Sequence, residues 1–203
     1  MSAMEILYHG VLQPRLLLSR LLRNFHAGYF VMAIFALALS EVSVNVASHL
    51  ADSKPLSTSG LFLMSFGSTV QSFLDICLVA LIIHGILSAF EKSGDILKLI
   101  SWIAFAQLPF TLLVAWVLSA YSLGLYFSMP DLGMTVFLVV GFVMFLKVLN
   151  SIVVGIQANY GVSYWGYAFM TLAVAVFFQI LFALGTLVGT ISTVIGVFLN
   201  FAA

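Results

Sequence analysis

The chain has 203 residues, 63% of them apolar and 7% charged, where a soluble domain carries about a quarter charged residues. That excludes a water-soluble globule and divides the chain into spans of roughly 20 residues, each crossing a hydrocarbon core. Seven basic residues balance seven acidic ones, which excludes nucleic acid as a partner and leaves the lipid bilayer as the first one.

Residues 14–25, PRLLLSRLLRNF, place Arg15, Ser19, Arg20 and Arg23 on one arc, with Leu17, Leu18, Leu21, Leu22 and Phe25 opposite. Pro14 opens the segment. The pattern predicts an interfacial amphipathic helix with Arg15, Arg20 and Arg23 at the membrane surface, within a cytoplasmic N-terminal segment of residues 1–26. The first apolar tract is followed by neither a cleavage site nor a hydrophilic mature chain, so it reads as a retained span.

Residues 27–203 hold five apolar tracts, at 27–49, 61–90, 96–121, 132–158 and 166–200. The joints ADSKPLSTSG, EKSGD, SLGLYFSMPD and NYGVSYW are short and rich in turn residues, which makes consecutive helices antiparallel neighbours. The predicted fold is all-α, a polytopic membrane bundle of about five helices. Arg15, Arg20, Arg23, Lys92 and Lys98 fall on one side and Lys54 on the other, which puts the N-terminus in the cytoplasm. In a bacterium the membrane would be the inner one.

Pro109 should kink the third span and free a carbonyl. The aromatics Tyr160, Tyr164, Trp165 and Tyr167 read as an interfacial belt. The last tract exceeds what a core about 30 Å thick requires, so it tilts, breaks near Gly185 to Gly189, or trails along the far surface. Gly185 and Gly189 have GxxxG spacing and predict a helix-packing face, within the bundle or between copies in a homo-oligomer.

Catalytic patterns are absent. His9, His26, His49 and His84 are scattered without HExxH, Cys77 stands alone in an apolar tract, and neither GK[ST] nor GxSxG occurs. No catalytic residue, metal site or cofactor is expected, and the chain does not read as an enzyme.

What remains is polar chemistry at membrane depth: Glu41 in the first span, Gln71 and Asp75 in the second, Gln107 in the third, Lys147, Asn150, Ser151 and Gln157 in the fourth and Gln179 in the fifth, which should face each other. Ser68, Gln71, Ser72 and Asp75 form one stripe of the second span, and Lys147, Asn150, Ser151 and Gln157 fall on one side of the fourth. An ionised group at the bilayer centre costs about 2.5–3.5 kcal/mol unless paired or hydrated. Counting from the span ends puts Asp75 and Lys147 at mid-depth, which predicts an interhelical ion pair, with Glu41 the competing partner. His84 lies about half a turn round from Asp75 and reads as an interfacial or packing histidine.

The order of features from residue 60 to about 188 resembles the Yip-domain family of small five-span membrane proteins. The segments that carry it are ALIIHGILSAFEKSGDILKLISWIAFAQLPFTLL and LNSIVVGIQANYGVSYWGYAFM. The DLYGP-type motif and the long cytosolic N-terminal region of the eukaryotic trafficking members are missing, so the likeness is to a short bacterial member. It implies a membrane fold and transfers no catalytic residue. Two functions follow: a membrane-organising or partner-binding scaffold, resting on the basic helix and small-residue faces, or a small transporter or channel using the polar track around Asp75 and Lys147.

Overall fold

The computed structural model describes residues 5, 8, 9, 13–51, 58–129, 131–181 and 184. Lys54, Gly185 and Gly189 lie outside them, and with these the lysine used for orientation and the GxxxG face.

Helix α1, Pro14–Arg23, begins at a proline and ends in two arginines, a distribution that suits the helix dipole. Next come α2 (Ala27–Ala51), α3 (Thr58–Ala89) and α4 (Ile96–Ala106). A 3₁₀ turn, Leu108–Leu112, leads into α5 (Leu113–Tyr126), followed by α6 (Leu132–Tyr160) and the shorter apolar α7, Trp165–Leu181. The break after α4 falls at Pro109, which has no N–H to give the helix ladder; Phe110 N–H instead closes a tight turn on Gln107 C=O at 3.0 Å.

Four apolar stretches are long enough to cross a membrane: Ala27–Ala51, Ser59–Ala89, Ile96–Tyr126 and Leu132–Tyr160. Their outward faces are apolar as well. Along α6, Leu138, Val139, Phe142, Val143, Phe145 and Leu146 are all exposed, a surface that water would penalise at about 25 cal/mol per Å² and lipid would not. The chain is a multi-pass membrane protein.

Consecutive helices run antiparallel. At one end, here the near end, Asn159 Nδ2 donates to Asp95 C=O at 2.9 Å, His84 Nδ1 lies 2.9 Å from Tyr160 Oη, and the Phe90 and Tyr167 rings meet. At the far end Gly133 faces Ala51 and Tyr121. Helix α4 is the central post of the near half: every residue from Leu99 to Ala106 is buried. Asp95 caps it, accepting from Leu97 N–H at 2.9 Å and Lys98 N–H at 3.2 Å.

Helix α1 docks on α4 and α6. Leu17, Leu18 and Leu21 are buried in the main core, and Lys98 Nζ donates to Leu22 C=O at 3.2 Å. The leucine face that the sequence assigns to a membrane surface is therefore covered by the bundle itself. Arg15, Arg20 and Arg23 are exposed.

Candidate functional site

The serines of the α3 stripe face α2, while Gln71 is exposed. Near the far end Asn45, buried on α2, donates through Nδ2 to Ser65 Oγ at 3.3 Å and to Ser68 Oγ at 3.0 Å. One turn or so deeper, Ser72 Oγ donates to Glu41 Oε1 at 2.5 Å. Gln71 Nε2 donates to Asp75 Oδ1 at 3.1 Å within the same helix, an i, i+4 pair. Hydrogen bonds to ionised oxygens are the strong ones, and in a low dielectric a carboxylate without them is costly.

Glu41, Ser72 and Asp75 open into a cavity of about 310 Å³, together with Gln107 at the foot of α4 and Gln179 on α7. Its apolar walls include Leu37, Ile103, Val148, Ile152, Leu172 and Val176. Glu41, Asp75 and Gln179 each stand about 14 residues, roughly 21 Å, from the near end of their helices. Polar groups of four segments thus converge at mid-span.

Lys147 is not among the residues lining this cavity. It is exposed on α6, as is Asn150, while its neighbour Val148 faces inward. Asp75 and Glu41, two acids, line the same cavity, and Lys147 sits about 100° round the helix from Val148. Asn150 instead borders a small recess where α1, α4 and α6 meet, with Arg15, Trp102, Ser151 and Val154.

A second cavity of about 450 Å³ adjoins the first, lined by Ser40, Glu41, Val44, Gln107, Phe110, Leu113 and the α6 residues Phe137, Leu138, Gly141, Phe142 and Phe145. Glu41, Gln107 and Phe145 line both. Gln107 and Gln179 are among the polar groups expected to face each other, and they line this site; Phe145 was not singled out from the sequence. Pro109 was the available signal, since a helix broken at membrane depth is tolerated where its freed backbone lines a cavity.

His84 serves the fold. Its ring nitrogen is bonded to Tyr160, which is 3% exposed and so belongs to the core rather than to an aromatic belt. Among the described residues no three His, Cys, Asp or Glu side chains cluster as metal ligands. No family model matches the chain, and neither does any curated protein or solved structure.

Proposed function

We propose that the chain is a small membrane transporter or channel that passes a small monovalent cation by way of Glu41 and Asp75. The observation that carries this is a mid-span cavity lined by both carboxylates, with no lysine or arginine among the described residues that line it. Their carboxylate oxygens, with the side-chain oxygens of Ser72, Gln107 and Gln179, form a ligand set suited to a small cation. Intramembrane acids on a bundle interior are the usual markers of such paths, and a discontinuous helix at the same depth is a second feature of them.

The scaffold reading draws on the basic helix α1, whose leucines the bundle already covers, and on the Gly185 and Gly189 face outside the described residues. The likeness to Yip-domain proteins concerns hydropathy and small-residue order and is compatible with either role. The test is flux in liposomes holding the purified protein, under imposed gradients of H⁺, Na⁺ or K⁺. The wild type should carry one of them, and Asp75→Asn and Glu41→Gln should each lower its rate at least tenfold. No flux of any of the three in the wild type, or equal flux in the variants, would remove the proposal.

A further inference from the structure

We infer that the larger cavity is a binding site, entered sideways from the bilayer, for a hydrophobic organic cation whose ammonium head sits at Glu41 and whose apolar body lies along α6. Binding there is independent of the transport reading above. The inner wall of this space of about 450 Å³ holds Ser40 and Leu113, both buried, and Glu41 and Gln107, both half-buried. Its outer wall is α6, where Leu138 and Phe142 are each 61% exposed and Phe145 is 47% exposed. These three stand four and three residues apart and so share one stripe of a membrane-spanning helix. That stripe lies against lipid. Gly141, on the same wall, contributes no side chain, and a Cβ placed there meets no atom within 4 Å. The cavity therefore opens toward the bilayer on one side and ends at a carboxylate on the other, with a volume in the range of small-molecule sites, roughly 300–1,000 Å³.

The chemistry of the lining selects the occupant. Among the described residues around this cavity Glu41 is the charged one, and no lysine, arginine or histidine stands with it. A carboxylate at membrane depth repels fatty acids and anionic lipids, and a bare alkyl chain would leave its charge uncompensated. Phe110, Phe137, Phe142 and Phe145 line the same space. Phenyl faces attract cations, more strongly where water is excluded, and an acid among such rings suits an alkylated ammonium. A small inorganic cation cannot take this route, because its charge would have to leave water for hydrocarbon. An alkylated ammonium screens its charge behind methyl groups and brings a tail that the lipid accepts. Glu41 would then offset the remaining charge at the end of the path.

The probe is tritiated dodecyltrimethylammonium, and the protein is held in nanodiscs so that saturable binding separates from linear uptake by lipid. The wild type should bind it saturably. Unlabelled probe should displace it, and dodecanol, with the same tail and no charge, should do so at least tenfold less well. Glu41→Gln should weaken binding at least tenfold. Gly141 lines the larger cavity and Val176 the smaller one. Gly141→Leu should therefore abolish binding, and Val176→Phe should leave it within about twofold of the wild type. Thermal unfolding identifies any variant that has not folded, and one measurement needs no variant at all. A diazirine in the tail of the probe should form adducts on Leu138, Phe142 and Phe145 that excess unlabelled probe suppresses.

No saturable binding by the wild type would overturn the inference. Displacement by dodecanol as strong as by the probe would overturn it too, because the site would then take a lipid tail and ignore charge. Binding lost in Val176→Phe but kept in Gly141→Leu, or protected adducts on α7 in place of α6, would put the ligand in the smaller cavity and reject the lateral site. None of these readouts is a flux, so the organic-cation site and the transport reading can fail separately.

Discussion

In the near half of the bundle α4 runs down the axis, buried from Leu99 to Ala106, with Ile83, Leu87, Val153 and Ile156 closed around it. In the far half its continuation α5 is buried only at Leu113, Val117, Ala120 and Gly124, and the contacts across to α3 are made by Asn45, Glu41 and serines. The near half is the larger apolar core; the far half combines a smaller one, Ala47, Ala51, Leu113, Val117 and Met144, with these polar contacts. A membrane bundle gains no hydrophobic driving force from packing helix on helix, so tight packing and hydrogen bonds have to supply it. The near half uses packing, and the polar middle, secured by that rigid end, is left free to hold water or ions.

Two glycines of α6 test this most strongly. The Trp102 indole lies across Gly155, where a Cβ would fall 1.9 Å from its Cδ1, and the same indole donates through Nε1 to Ser151 C=O at 2.8 Å. Gly155→Val should displace the ring and break that bond, lowering stability by about 3 kcal/mol. Gly141→Ala, with open space around it, should raise stability by about 0.5–1 kcal/mol through helix propensity. Thermal unfolding in detergent reads both. Equal losses at the two positions would show that the halves do not differ in packing.

A smaller effect is expected where each half has one isolated side-chain hydrogen bond. Tyr160→Phe removes the partner of His84 in a closed setting and should cost about 1 kcal/mol. Ser72→Ala removes the donor to Glu41, but cavity water can replace it, so its cost should stay under about 0.6 kcal/mol. The reverse ranking would mean that the middle of the bundle is the drier part.

Much of this was legible in the sequence, and the limits have a physical origin. Helix α2 was expected at 27–49 and runs Ala27–Ala51; α6 was expected at 132–158 and runs Leu132–Tyr160. Chain length through a core of known thickness fixes such bounds, and Pro109 marked the break for want of an N–H. The stripe from Ser68 to Asp75 was readable from the helical period. What covers a face was not: the leucines of α1 look the same whether lipid or α4 lies over them. A uniformly apolar helix carries no mark of its rotation, so which α6 side chains line the Asp75 cavity was invisible. The pairing of Glu41 with Ser72 depends on how α2 turns toward α3, which neither sequence shows alone.

An effect of similar size, but of opposite sign, concerns the two helix ends that frame the near half. Helix α6 stops at Gly161 with φ 64°, and Val162 N–H reaches back to Gln157 C=O at 3.0 Å. Helix α3 stops in the same way at Glu91 with φ 58°, and Lys92 N–H reaches Leu87 C=O at 2.9 Å. Glycine adopts this left-handed geometry freely, whereas a residue with a Cβ is strained by about 1–2 kcal/mol. Glycine also has more unfolded-state freedom to lose, which offsets part of that relief. Glu91→Gly should therefore stabilise the near half by about 0.5–1 kcal/mol, seen as a higher unfolding temperature in detergent. Glu91→Ala separates conformation from charge: it removes the carboxylate and keeps the Cβ, so it should leave stability unchanged. An equal gain from alanine would assign the effect to charge, and no gain from glycine would show that the end of α3 is already held as firmly by its packing as the end of α6 is by its glycine.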